Sequence, residues 1–131
     1  MRALILMCVL VMAGCAPLGM PSQPTKPVAQ HGWAELCHFY YKNPTAELRQ
    51  EIQGRRGFSE NEWRSIDAHE IRKGMRTEAL VCSRGLPVPF GDINNSAGSW
   101  GLHTQWVYRK CNRCDATYVY SENGTVTGWA Y

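Results

Sequence analysis

Cys111 and Cys114 flank Asn112-Arg113, and two thiols at that spacing admit four chemistries. Closed on each other they staple a hairpin, because a two-residue Asn112-Arg113 turn sets their Cβ atoms facing across the strands. Left reduced, they are ordinary thiols. A zinc site would need two further ligands, drawn from Cys37, Cys82 and His103. A thioredoxin-like redox pair needs its first Cys at a helix N-terminus, where the dipole lowers the thiol pKa; Cys111 stands between predicted strands instead. Cys37 and Cys82 each fall on the apolar face of a predicted helix. They are either small buried hydrophobes or a second disulfide tying the N-terminal helices to the rest. Four cysteines allow three connectivities, and spacing does not choose among them. Acid–base machinery is thin. His38, His69 and His103 are scattered, no Ser sits in a nucleophile elbow, and the neighbours Asp67-Ala68-His69-Glu70 do not point together on a helix. The expectation is a chain with no catalytic residue, no metal and no cofactor; a thiol or metal protein built on Cys111 and Cys114 is an alternative.

A fifth cysteine carries a different chemistry. Met1-Arg2 precedes an apolar run from Ala3 to Met12, and Ala13-Gly14-Cys15 follows. A short positive start, an apolar core and small residues at the cleavage point make a secretory signal, and the run is too short for a spanning helix, which needs ~20 residues. Ala13-Gly14-Cys15 resembles the bacterial lipobox, with Met12 where Leu is usual; cleavage would leave Cys15 first in the mature chain, to be acylated. Cys8 leaves with the signal. By analogy with Gram-negative sorting, where Asp after the anchor retains a lipoprotein at the inner membrane, Ala16 points to the outer membrane. Acyl chains contribute ~0.8 kcal/mol per buried methylene, so the fold itself needs no membrane-binding face. An oxidising periplasm permits disulfides.

Three stretches follow from composition. Residues 1–14 are the signal, 15–32 the lipidated Cys and a tether containing Pro17, Pro21, Pro24 and Pro27, and 33–131 a single domain. Loss of the signal removes only Arg2, leaving thirteen basic residues against eleven acidic. Nothing in that balance suggests nucleic acid, which would want a clustered basic face.

Trp33, Leu36, Cys37 and Tyr40 recur with helical period. Asn43-Pro44 reads as an N-cap and first helical residue, with Leu48 and Ile52 as the stripe and Gly54 to Gly57 as the stop. Ser59-Glu60-Asn61-Glu62 is a capping box, ahead of Trp63 and Ile66. A short helix runs from Thr77 to Ser83, stopped by Gly85 and Pro87. Beyond Pro89 the period changes: 105–109, 117–121 and 125–131 read as strands, the last two joined by Asn123-Gly124, a type I′ hairpin signal. Counting outward pairs Ser121 with Val126, Tyr120 with Thr127, Val119 with Gly128 and Tyr118 with Trp129. The fold class is α+β: N-terminal helices packed on a three-stranded antiparallel sheet.

From Ile71 onward the chain is similar to the BamE (SmpA/OmlA) family of outer-membrane lipoproteins. The likeness runs through Ile71-Arg72-Lys73-Gly74-Met75, Leu80, Gly85-Leu86-Pro87, Gln105-Trp106-Val107-Tyr108, Tyr118-Val119-Tyr120 and Asn123-Gly124 with Val126. It implies a BamE-like core over 71–131, with 33–70 as an extra helical region. It also implies two helices on three antiparallel strands, an architecture shared with β-lactamase-inhibitor-like modules. The family's best-known member is an accessory subunit of the machinery that inserts β-barrels into the outer membrane. Departures are Arg76, where the family usually offers a Ser or Thr cap, and the short Lys110–Asp115 loop with its two cysteines. No partner-binding residue of that subunit matches residue by residue.

The matched residues specify a fold, and a fold does not specify an activity. The aromatics offer more. Trp106, Tyr108, Tyr118, Tyr120 and Trp129 crowd the predicted strands, more than one helix layer buries, and exposed Tyr and Trp anchor protein interfaces. With a two-residue Cys loop, Trp106 and Tyr108 face opposite to Tyr118 and Trp129. The expected function is a non-enzymatic interaction module facing the periplasm, bound to an envelope protein such as the outer-membrane β-barrel assembly machinery. A stand-alone inhibitor or ligand-binding module of the same fold is the alternative.

Overall fold

Each helix starts and stops where its side chains supply the missing backbone partners. The computed structural model describes residues 19–131; the predicted signal, Cys8 and Cys15 lie outside them. Helix α1 spans Trp33–Lys42, and the Glu35 carboxylate accepts from the Gly32 N–H at 3.2 Å. Helix α2 spans Ala46–Arg56, and its cap is Thr45, whose hydroxyl accepts from Leu48 N–H at 3.2 Å. The expected Asn43-Pro44 start is therefore corrected: Thr45, also among the favoured capping residues, is the N-cap, and Pro44 lies one step before it. Gly57, at φ 56°, ends α2 in the left-handed conformation. Helix α3 (Glu60–Asp67) carries both bonds of the capping box, Glu62 N–H to Ser59 Oγ and Ser59 N–H to Glu62 Oε2. Helix α4 (Thr77–Arg84) is buried throughout Ala79–Ser83 and packs against α1, α3 and the sheet, its apolar residues Ala79–Cys82 lying between polar ends at Thr77-Glu78 and Ser83-Arg84.

Arg76 stands at the N-cap of α4 without capping it. Its guanidinium donates to both Glu62 oxygens at 2.7 and 2.9 Å and to the Arg56 carbonyl at 3.1 Å, and lies 4.8 Å over the Phe58 ring. It clamps α4 to the turn between α2 and α3. The Glu62 carboxyl is held below its ordinary 4.5, first by the Arg76 hydrogen bonds; burial, the next largest effect, opposes them, and the Ser59 amide adds to the lowering. A carboxyl lowered on folding stabilises above its unfolded value, and that contribution fades as pH falls through the lower folded value. The urea-midpoint gap between wild type and Glu62→Gln, present at neutral pH, is thus expected to shrink as the pH falls below the ordinary carboxylate range.

Four strands follow, not three: β1 (Asp92–Gly98), β2 (Gly101–Arg109), β3 (Ala116–Glu122) and β4 (Thr125–Ala130), an antiparallel meander in that order. The unforeseen strand, β1, reads Asp-Ile-Asn-Asn-Ser-Ala-Gly and is exposed at every residue. Its sequence has one β-branched residue and no aromatic, so propensity could not reveal it. Pairing with β2 holds it, from Asp92↔Val107 to Gly98↔Gly101, with Thr104 Oγ1 donating to Asn95 Oδ1 at 2.8 Å. Asn123 and Gly124 both take positive φ, 49° and 81°, forming the expected turn. The register then departs from simple counting. Ser121 does face Val126, but a bulge admits Thr127 as an extra residue, so Tyr120 faces Gly128, Val119 faces Trp129 and Tyr118 faces Ala130. The segment Gly74–Thr77 covers the outer edge of β4 through Gly74 N–H to Val126 O (2.8 Å) and Thr77 N–H to Gly124 O (2.9 Å).

The core joins Leu36, Phe39, Ile52, Ile66 and Leu80 from the helices to Trp106, Val119 and Val126 from the sheet. Two disulfides are present: Cys37–Cys82, fully buried between α1 and α4, and Cys111–Cys114, which closes the β2–β3 loop. Cys114 N–H donates to Cys111 O, and the pair Arg109↔Ala116 continues the register a two-residue Asn112-Arg113 turn would set. The chain is already packed at Val28: a 3₁₀ turn, Val28–Gln30, lies on α2, where Arg55 donates to the Ala29 and His31 carbonyls.

Two glycines on helices make opposite predictions. Gly85 ends α4 at φ 74°, ψ −176°, and an added Cβ would stand 2.8 Å from Tyr41 Cδ1 and 3.1 Å from His38 Nδ1. That backbone region is essentially confined to Gly, so Gly85→Ala is expected to cost about 3 kcal/mol. Gly54 lies within α2 with open space around it, so Gly54→Ala should stabilise by about 0.5–1 kcal/mol. Thermal melts of the two variants should move in opposite directions.

Candidate functional site

The alternation of β2 and β3 divides the aromatics between two faces. Trp106, Val119 and Val126 belong to the core, so the helices cover that side. Trp106 is buried and its Nε1–H donates to Ser121 Oγ at 3.2 Å. Tyr108 packs beside it and donates its hydroxyl to the Gly85 carbonyl at 3.1 Å; burial pushes its phenol well above the ordinary value. These two residues are structural, which answers for two of the five aromatics expected to meet a partner. Tyr118 and Tyr120 point to the other face, which carries no helix; Tyr118 is half-buried and Tyr120 is 41 % exposed. Trp129, 37 % exposed, was expected beside Tyr118, but the bulge places it opposite Val119 on the helix-facing side, at the sheet margin.

The open face has an ordered composition. Its central rows are Asp92–Val107–Tyr118–Ala130 and Asn94–Gln105–Tyr120–Gly128. Charges stay at the perimeter: Asp92 at one margin, Arg109 at the hairpin end, and Glu122 with His103, 3.4 Å apart, at the other end. An uncharged centre with aromatic residues and a charged rim is the anatomy of a protein interface. The face is shallow, with a depression of about 410 Å³ beside Tyr120, His103 and Gln105.

The thiols that a zinc site or a redox pair would have used are closed in the two disulfides. Asp67, His69 and Glu70 are directed apart. Asp67 accepts from Arg49 at 2.8 Å and from Tyr40 at 2.8 Å, His69 Nδ1 lies 3.0 Å from the Ser83 carbonyl, and Glu70 pairs with Arg72. Among the described residues, no three His, Cys, Asp or Glu side chains gather as a metal site would require. A second concavity, absent from the sequence reading, lies on the opposite flank of the hairpin. It is a cleft of about 580 Å³ between the C-terminal ends of α1 and α4 and the β2–β3 loop. Its residues are too far apart in sequence to form a motif, and only the folded chain assembles them. The arrangement as a whole defines a small α+β domain with one helix-covered and one open sheet face. No protein-family model, no curated protein and no solved structure matches this chain.

Proposed function

We propose that the chain is a non-enzymatic lipoprotein of the BamE-like class, held at the outer membrane by an acylated Cys15 with its domain in the periplasm. There it binds another envelope protein and supports outer-membrane protein assembly or envelope integrity. The open sheet face carries this reading, because Tyr120 and Tyr118 lie at its uncharged centre and such residues are typical interface anchors. The lipobox-like sequence at Cys15 adds to it.

Loss of the gene is expected to lower the amount of β-barrel proteins in the outer membrane and to raise sensitivity to large antibiotics. Tyr120→Ala should reproduce much of that phenotype, since truncating an interface anchor weakens binding by about 2 kcal/mol, roughly thirtyfold. Unchanged barrel content and unchanged sensitivity in both strains would refute the proposal. Mass spectrometry of the mature chain is expected to find an acylated Cys15 as its first residue; an unacylated amino terminus would remove the anchor.

A further inference from the structure

The cleft beside the Cys111–Cys114 loop gathers four cations in one concavity, whereas the other cations without a described carboxylate partner, Lys26, Arg64, Lys73 and Arg113, lie outside it. Arg49, Arg55, Arg56, Arg72 and Arg76 each have a carboxylate within 4 Å. Lys42, Arg84, Arg109 and Lys110 all line the cleft, and none of them pairs with a described carboxylate. Asp115 is the single acidic residue on its walls, so four cations against one carboxylate leave three uncompensated positive charges. The C-terminal dipoles of α1 and α4 oppose this with about half a charge each, which leaves the cleft positive by roughly two.

The cations are held on aromatic and backbone supports rather than on anions. Arg84 lies 5.9 Å over the Tyr108 ring, Lys42 5.3 Å over the Tyr41 ring, and Arg109 spends one donor on the Cys114 carbonyl at 3.2 Å. A guanidinium has five donors, so most of that capacity is unspent. On the other wall, the Leu86–Phe90 strap offers an apolar surface, with Val88 and Phe90 about two-fifths exposed. The volume, about 580 Å³, falls among clefts that take small ligands. Paired guanidinium groups match phosphate oxygens in shape and charge.

We infer that this cleft binds a phosphate-bearing ligand with a ring or apolar body, the phosphate on Arg84, Arg109 and Lys110 and the body against the Leu86–Phe90 strap. The inference does not rest on the protein-partner reading: of the sheet residues it uses, only Arg109, at the hairpin-end rim of the open sheet face, belongs to both. The same phosphate chemistry could arrive on a soluble metabolite or on a lipid headgroup.

The test is calorimetric titration of the full mature chain in neutral detergent at low salt. Phenyl phosphate, phenol and dihexanoyl phosphatidic acid serve as probes. Both phosphates should bind and phenol should not. Arg84→Gln with Arg109→Gln should weaken phosphate binding at least tenfold, and Lys110→Gln, on the exposed loop, by several-fold. Lys110→Gln keeps the test valid if the double variant melts early. Tighter binding of phenyl phosphate would assign a soluble ligand, and tighter binding of the lipid a headgroup; either supports the site. Failure of both phosphates to bind at millimolar concentration, or binding indifferent to all three substitutions, would overturn it.

Discussion

Removing the Cys37–Cys82 bond is expected to lower the unfolding free energy by about 4 kcal/mol and the melting midpoint by roughly 20 °C. The magnitude comes from the chain, since the bond closes a loop with a sequence separation of 45. A cross-link of that span removes about 4 kcal/mol of conformational entropy from the unfolded ensemble. The Cys111–Cys114 bond, with a separation of 3, should contribute only about 2 kcal/mol by the same relation. Melting the Cys37→Ala, Cys82→Ala and the Cys111→Ala, Cys114→Ala double variants, each against oxidised wild type, separates the two. Equal midpoints for the first variant and the wild type would mean that no such bond forms. The two bonds also act at different levels. The first fastens α1 to the central helix α4, and the second fixes only a loop at the rim of the cationic cleft.

The second large effect lies in the sheet. Trp106→Ala is expected to cost about 4 kcal/mol, the ordinary range for emptying a buried aromatic site, because Trp106 is 9 % exposed and belongs to the core cluster. The variant also deprives the Ser121 hydroxyl of the indole N–H it accepts. Tyr120→Ala, one strand away on the open face, should change stability by less than about 1 kcal/mol. Urea denaturation of the pair measures the asymmetry directly. Equal losses would mean that both faces are packed, and would count against the proposed docking at the open face.

How much of this was legible in the sequence depends on where each signal resides. Ser59 and Glu62 announce the start of α3 because the cap is local chemistry, four residues long. Asn123-Gly124 announces its turn for the same reason. The bulge at Thr127 left no local mark, and it alone moved Trp129 to the helix-facing side. Strand β1 was hidden because partner pairing, not its own composition, makes it extended. The Thr45 cap was missed because Asn43 and Pro44 offered a competing local rule. The division of the aromatics followed from alternation for Trp106, Tyr108 and Tyr118, whose register passes through the Cys loop as expected. The cationic cleft was beyond reach, since Lys42, Arg84, Arg109 and Lys110 meet only through the packing of α1, α4 and the hairpin. Arg76 looked like a defective cap; its role as a clamp on Glu62 and Phe58 appears only in three dimensions.

The central claim is that the sheet face bearing Tyr120 meets another protein in the cell. A photo-crosslinking amino acid placed at position 120, beside one at the exposed Gln50 of α2, tests it most directly. The expected result is a discrete adduct with an outer-membrane protein from position 120 and none from position 50. No adduct from position 120, or the same products from both positions, would contradict it.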